Sequence, residues 1–131
     1  MEQRIAHIAL LVSDYDEAKN FYVDKLNFRV IEDTALDANK RWLLISPPGN
    51  GSCHLLLAKA SNEAQMSSIG NQAGGRVFLF LYTDDLMRDY HNMVASKIIF
   101  VREPVVEKWG RVAVFQDLYG NLWDLIEPVK Q

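Results

Sequence analysis

The chain has 131 residues, of which 49% are hydrophobic and 24% are charged, and its net charge is −3. This length and composition are typical of one globular domain, or of two small halves that share a core. The negative net charge argues against binding to a nucleic-acid backbone. No apolar run approaches the length of a membrane span. We therefore expect neither nucleic acid nor a membrane as a partner.

The cysteine content and the N-terminus favour a cytoplasmic location. A single cysteine, Cys53, excludes an internal disulfide, and this is typical of a reducing compartment. The N-terminal stretch MEQRIAH has no basic segment followed by a small-residue cleavage site, so we expect no secretory signal.

The first half of the chain begins with a strand and a helix. Residues 4–12, RIAHIALLV, predict a strand with one apolar face. Residues 13–27 predict a helix, because Asp14 and Glu17 form a capping-box-like start and apolar residues recur at helical spacing. Asn27 suits a left-handed stop. Three predicted strands follow, the last two joined by the turn PPGNGS: FRVIED, KRWLLIS and CHLLLAK.

The second half restarts the same order after a linker. Residues 59–75 are polar and small with no clear period, which predicts a linker. A predicted strand, RVFLFLYT, and a helix capped by Asp84 or Asp85 come next, followed by the strands IIFVRE, RVAVFQD and NLWDLIE. We therefore expect one domain that consists of a first module, 1–58, the linker, and a second module, 76–131.

The two halves repeat one pattern, βαβββ. The cap residues Asp14 and Asp85 differ by 71 positions, and this shift places Phe78 on His7. A spacing that matches caps and strands together indicates an internal repeat. One such module cannot bury its sheet face alone, so two modules must pair, within the chain or between chains. The predicted fold class is α+β, with two paired βαβββ modules.

Three side chains on the predicted strands could bind a metal. Strand side chains alternate between two faces, and His7 lies opposite the apolar face that we assign to the helix. His54 lies on another strand, and Asp124 is a charged residue between apolar neighbours. His54 and Asp124 differ by 70 positions, within one residue of the repeat. Two histidines and one carboxylate match the set that binds iron(II) and also suit zinc, manganese or nickel, so the pattern predicts a divalent metal site.

Other interpretations of these residues remain open. A lone strand histidine is more often packed or partly exposed than a metal ligand. Phe78, Phe80 and Tyr82 share a face and could line an aromatic pocket or form a stripe of the core. Leu56 shares the face of His54 and would contact a substrate bound there.

Two long stretches, HIALLVSDYDEAKNFYVDKLNFRV and VAVFQDLYGNLWDLIEP, and the restart FLFLYTDDL resemble the vicinal oxygen chelate superfamily. That family includes glyoxalase I, methylmalonyl-CoA epimerase, extradiol dioxygenases, fosfomycin-resistance thiol transferases and bleomycin-resistance proteins. The resemblance covers nearly the whole chain. It implies paired βαβββ modules whose sheets curl around a cavity with the helices outside, a metal that chelates two adjacent substrate oxygens, and, in many members, a dimer.

The resemblance also implies roles for individual residues. The four ligand positions of the family map onto His7, His54, Phe78 and Asp124. Phe78 departs from the histidine used by glyoxalases, dioxygenases and thiol transferases, and Asp124 stands where a glutamate is common. Because glyoxalase I uses a carboxylate ligand as its base, the resemblance implies that Asp124 is catalytic.

Two functions follow as hypotheses. The first is a glyoxalase-like enzyme that uses a divalent metal as a Lewis acid on a small substrate with adjacent oxygens, as an isomerase or lyase first and a dioxygenase second. Its substrate would contact Phe78, Phe80, Tyr82 and Leu56. The alternative is a metal-free protein that sequesters a flat or aromatic compound, as bleomycin-resistance proteins do. We expect a homodimer in either case.

Overall fold

The computed structural model describes residues 1–130, and the chain divides into two units, Met1–Ile69 and Gly70–Gln131. The division falls inside the predicted linker. Gln131, the last residue of the predicted second module, lies outside the described residues.

The first unit follows the predicted βαβββ order and ends in a short extra helix. Its elements in chain order are β1 (His7–Val12), α1 (Tyr15–Asn20), a π-helical turn (Phe21–Lys25), β2 (Arg29–Ala35), β3 (Arg41–Ser46), β4 (His54–Lys59) and α2 (Glu63–Ser68).

One four-stranded sheet forms the first unit, in the order β1-β4-β3-β2, with β1 parallel to β4 and the other pairs antiparallel. Its core is the set of apolar side chains with no exposed surface: Leu10, Val12, Ala18, Tyr22, Leu43, Ile45 and Leu57. The alternation of Leu10 and Val12 with Ala9 and Leu11 confirms the predicted face of β1.

The ends of α1 are set by local chemistry that the sequence predicts. The Asp14 carboxylate accepts a hydrogen bond from the backbone N–H of Glu17 at 2.8 Å, which caps the helix. After the π-helical turn, Asn27 has φ of 59°, so its predicted left-handed conformation is confirmed.

The second unit repeats this order with one long helix. Its elements are β5 (Val77–Tyr82), α3 (Leu86–Ala95), β6 (Ile99–Glu107), β7 (Gly110–Gln116) and β8 (Leu122–Pro128). Its sheet has the order β5-β8-β7-β6, which is the topology of the first sheet. The Asp85 side chain caps α3 by accepting from the N–H of Arg88 at 3.1 Å, and the Glu127 carboxylate accepts from the N–H of Leu86 at 2.8 Å. The α+β class and the two βαβββ modules are therefore confirmed.

The predicted linker contains a helix that periodicity did not reveal. The Asn62 side chain accepts from the N–H of Gln65 at 2.8 Å and starts α2, which is six residues long and has no buried residue. So short and polar a helix has no apolar stripe, and its cap was the one available signal. None of the helices in residues 1–130 has the length and apolar character needed to cross a bilayer.

Candidate functional site

The two histidines predicted as metal ligands lie side by side in the first unit. β1 and β4 run parallel with His7 opposite His54, and directly paired residues on neighbouring strands share a face. Their ring centroids are 5.7 Å apart, and the ring planes are inclined by 19°. The His7 side chain is exposed and that of His54 is half-buried. The structure thus brings together two residues that are 47 positions apart in the sequence.

Trp42 extends this pair into an aromatic cluster, which consists of His7, His54 and Trp42. Leu44 pairs with Leu56 on β4, and alternation therefore puts Trp42 on the face of Leu56 and His54. The Trp42 and His7 rings meet at 5.9 Å with an interplanar angle of 76°, the edge contact that aromatic pairs favour. Sequence reasoning missed Trp42. The available signal was the aromatic residue two positions before Leu44 in KRWLLIS.

A pocket of about 750 Å³ opens beside Trp42. Its volume lies within the range of small-molecule sites, roughly 300–1,000 Å³. Its wall includes Leu56, one of the predicted substrate-binding residues, and Tyr15 at the start of α1. The other lining residues belong to the β2–β3 turn, to β3 and to the end of β4: Asp37, Ala38, Asn39, Lys40, Arg41, Leu57, Ala58, Lys59, Ala60 and Ser61.

Arg41 fixes one wall of the pocket through an ion-pair network. Its guanidinium donates to the Asp33 carboxylate at 2.7 and 3.1 Å and to Asp16 at 2.8 Å, and it lies over the Tyr15 ring with 5.2 Å to the centroid. Lys19 donates to Asp33 at 2.9 Å from the other side. The hydrogen bond from Arg41, followed by that from Lys19, lowers the pKa of Asp33 to about 2. Arg41 is therefore bound within the protein on two carboxylates.

Two buried polar atoms on the face of the aromatic cluster lack a hydrogen-bond partner within residues 1–130. They are the hydroxyl oxygen of Ser46 and the Nδ1 atom of His54. Ser46 lies two residues after Leu44 and His54 two residues before Leu56, so both share the face of that pair. Unsatisfied buried polar atoms are uncommon in folded proteins. An imidazole nitrogen that the protein does not satisfy fits either a metal ligand or a contact to a polar ligand atom.

The predicted carboxylate ligand lies in the second unit. Asp124 occupies the centre of β8, opposite Phe80 on β5 and Val114 on β7. Burial raises the pKa of Asp124, and the positive charge of Arg102 partly offsets this effect. A half-buried carboxyl with a perturbed pKa is a candidate functional group.

The aromatic residues of β5 do not share one environment. The exposed fraction is 64% for Phe80 and 70% for Tyr82, so the interpretation of these two as a core stripe is wrong. Phe78 is half-buried and lines a small cavity of about 100 Å³ within the second unit. The register of β5 against β8 is irregular between Val77 and Leu79. A regular ladder from the Val77–Leu122 pair would put Leu79 opposite Asp124, whereas the irregularity puts Phe80 there.

The predicted three-ligand metal set is divided between the units. The first contributes His7 and His54, and the second contributes Asp124. Over residues 1–130, neither unit by itself brings three His, Cys, Asp or Glu side chains into an arrangement that could hold a metal ion. The set of His7, His54 and Asp124 therefore stays a prediction.

Comparison with known proteins yields one family and several relatives. Residues 4–125 match the family model described as Glyoxalase/Bleomycin resistance protein/Dioxygenase superfamily. An uncharacterized protein of Shewanella frigidimarina (strain NCIMB 400) is 59% identical over 128 residues, which are 97% of this chain and 95% of that protein.

Solved structures show the same similarity. UcmS2 superimposes with a TM-score of 0.85 at 29% identity, over 97% of this chain and 99% of that one. TnmS3, described as an antibiotic binding protein from Streptomyces sp. CB03234, superimposes with a TM-score of 0.79 at 27% identity, over 98% of each chain.

Proposed function

Because the chain belongs to the Glyoxalase/Bleomycin resistance protein/Dioxygenase superfamily, we propose that it binds a planar aromatic small molecule in the pocket beside Trp42. The observation that carries this proposal is the half-buried Trp42 ring, which borders a pocket of about 750 Å³ and contacts the imidazole of His7. This is the metal-free, sequestering function of the bleomycin-resistance type.

The chemistry of the pocket supports an aromatic ligand. Aromatic pairs in stacked or edge-to-face geometry gain about 0.5–1.5 kcal/mol beyond the burial of their area. Apolar walls with a few polar groups are typical of small-molecule sites, and here Leu56 and Ala58 lie beside Lys40 and Lys59. The similarity to TnmS3, an antibiotic binding protein, favours the same class of function.

Isothermal titration calorimetry tests this proposal. We expect 1-naphthylmethanol, used as the reference probe among two- and three-ring aromatic compounds, to bind saturably. Trp42→Leu should weaken binding by about tenfold or more, since an aromatic contact and its buried area are lost together. Trp109→Leu is the matched control, because Trp109 is 54% exposed in the β6–β7 turn. Equal weakening in both variants, or the absence of saturable binding by wild type, would contradict the proposal.

A second candidate function is the metal-dependent enzyme, and the His7–His54 pair favours it. The two imidazoles are neighbours, and the Nδ1 atom of His54 is buried without a protein partner in the described chain. In this function His7, His54 and Asp124 would hold a zinc, nickel, manganese or iron ion. The ion would supply Lewis-acid chemistry for a substrate with adjacent oxygens. Asp124 would move the proton in an isomerase or lyase reaction, with dioxygenase chemistry as the second choice.

Metal analysis distinguishes the two candidates. For the enzyme we expect protein purified without a histidine tag to contain a divalent metal, and His54→Ala to lose most of it while the fold is retained. Metal content should also fall in acid, because groups that coordinate a metal must be deprotonated. Stoichiometric metal in the His54→Ala variant would eliminate His54 as a ligand.

We also propose a homodimer that acts in the cytoplasm. β5 is an edge strand of its sheet and exposes the rings of Phe80 and Tyr82, a surface that a second copy could cover. Light scattering at micromolar concentration should report twice the mass of one chain, and a monomer would contradict this proposal.

A further inference from the structure

The pocket beside Trp42 has an excess of positive charge. Four charged residues line it: Asp37, Lys40, Arg41 and Lys59. Only Asp37 is acidic, although the chain as a whole carries a net charge of −3. The local charge is therefore opposite in sign to that of the molecule.

Two of these cations are available to a ligand. Arg41 is already bound to Asp33 and Asp16. By contrast, none of the ion pairs formed within residues 1–130 involves the ammonium group of Lys40 or Lys59. Two lysines that form no ion pair within the described chain thus belong to the lining of the same pocket.

The backbone holds both lysines in place. The carbonyl of Lys40 accepts hydrogen bonds from the N–H groups of Leu36 and Asp37 at 2.8 and 3.2 Å, which closes the β2–β3 turn. Lys59 is the last residue of β4 and pairs with Val12 on β1. The Asp37 carboxylate accepts a hydrogen bond from the N–H of Asn39 at 2.7 Å, a contact that stabilises the β2–β3 turn.

We infer that the ligand of this pocket is an anionic aromatic compound, such as an aromatic carboxylate. Its ring would lie against Trp42 and its negative group would pair with Lys40 and Lys59. This inference rests on the proposed function and adds the charge of the ligand to it. Both lysines are exposed, so each charge pair contributes modestly, and the two together favour an anion over a neutral compound of the same shape.

The test compares three probes of one shape and different charge: 1-naphthoate, 1-naphthylmethanol and 1-naphthylmethylamine. Isothermal titration calorimetry at low and moderate salt gives the affinities. We expect 1-naphthoate to bind about five- to tenfold more tightly than the alcohol, with the advantage decreasing as salt is added. The double variant Lys40→Gln/Lys59→Gln should abolish this advantage, so that 1-naphthoate and the alcohol bind the variant with similar affinity.

The matched control is Lys108→Gln/Lys130→Gln, which makes the same change of charge in the second unit and should retain the preference for 1-naphthoate. Equal binding of naphthoate and alcohol, or tightest binding of the amine, would overturn the inference and leave the proposed function standing. Failure of all three probes to bind would overturn both. The relative affinities of the three probes for wild type test the inference even if the double variant does not fold.

Discussion

In the first unit, β1 and β4 pair in continuous register and place His7 beside His54, whereas in the second unit β5 and β8 shift register near Phe78 and place Phe80 beside Asp124. Both sheets nevertheless have the same strand order and direction. A repeated module can therefore keep its topology while a difference in strand register changes which side chains meet.

The two units also differ in the chemistry of the side chains that they expose. The first unit presents the imidazoles of His7 and His54 and the indole of Trp42. The second presents two exposed aromatic rings and a half-buried carboxyl. The two units therefore share a strand order but present different side-chain chemistry.

The largest expected effect tests whether the two cores are equivalent. Leu55 and Leu125 occupy repeat-related positions, 6% and 1% exposed, on the side of each sheet that the core covers. Leu55→Ala and Leu125→Ala should each lower the free energy of unfolding by about 2–4 kcal/mol, because each leaves a cavity. Urea unfolding monitored by circular dichroism measures this. Val106→Ala, at a side chain 75% exposed, is the control and should stay within about 0.5 kcal/mol of wild type. If one leucine variant is as stable as wild type, the two leucines do not contribute equally to the stability of their units.

The register difference predicts where an added imidazole would help to bind a metal. The sequence repeat favours Phe78→His, but the structure places Phe80 opposite Asp124, so Phe80→His should raise zinc affinity more, by about tenfold. Titration of zinc into the apo proteins with a competing chelator measures this affinity. Tyr82→His lies two residues further along the same face and serves as the control. A larger gain for Phe78→His would show that the repeat, and not the register of the structure, places the ligand.

Each unit contains one arginine that forms ion pairs with two aspartates, and the two arginines differ in exposure. Arg41 joins Asp33 and Asp16 with its side chain 23% exposed, while Arg88 joins Asp84 and Asp89 with its side chain 50% exposed. Arg41→Met should lower the free energy of unfolding by about 1 kcal/mol at neutral pH, and Arg88→Met should have no measurable effect.

The Arg41 contribution should depend on pH in a defined direction. The pKa of Asp33 is about 2 in the folded chain against an ordinary value of 3.8. Its contribution is therefore complete above the ordinary value and is lost as the pH falls through the folded value. Thermal unfolding of wild type and Arg41→Met between pH 7 and pH 2 should show the two curves converging at the acidic end. A constant difference over that range would contradict this account.

The smallest expected effect concerns Asp124. Because burial raises its pKa, the folded chain disfavours the charged form, so Asp124 lowers stability at neutral pH and ceases to do so below its ordinary value. Asp124→Asn should therefore raise the melting temperature of metal-free protein at pH 7 and leave it unchanged at pH 3. Asp24→Asn, at an exposed position, is the control. A lower melting temperature for Asp124→Asn at pH 7 would show that the carboxylate stabilises the fold.

The order of elements could be predicted from the sequence because it depends on local signals. The caps at Asp14 and Asp85, the turn between β3 and β4, and the alternation of β1 are all encoded within a few residues. The same alternation put His7 and His54 on the open face of their strands. The helix α2 was not predicted because it has a cap but no stripe of apolar residues at helical spacing.

Which side chains meet was decided only by the tertiary structure. Trp42 reaches His7 across an intervening strand, and the pocket beside it is formed by residues from Tyr15 to Ser61. A residue count predicted that Phe78 takes the place of a ligand, but Asp124 pairs with Phe80, which the irregularity between Val77 and Leu79 puts where Leu79 would otherwise lie. The physical reason is that strand register depends on hydrogen bonds between distant segments, so one local irregularity moves every contact beyond it.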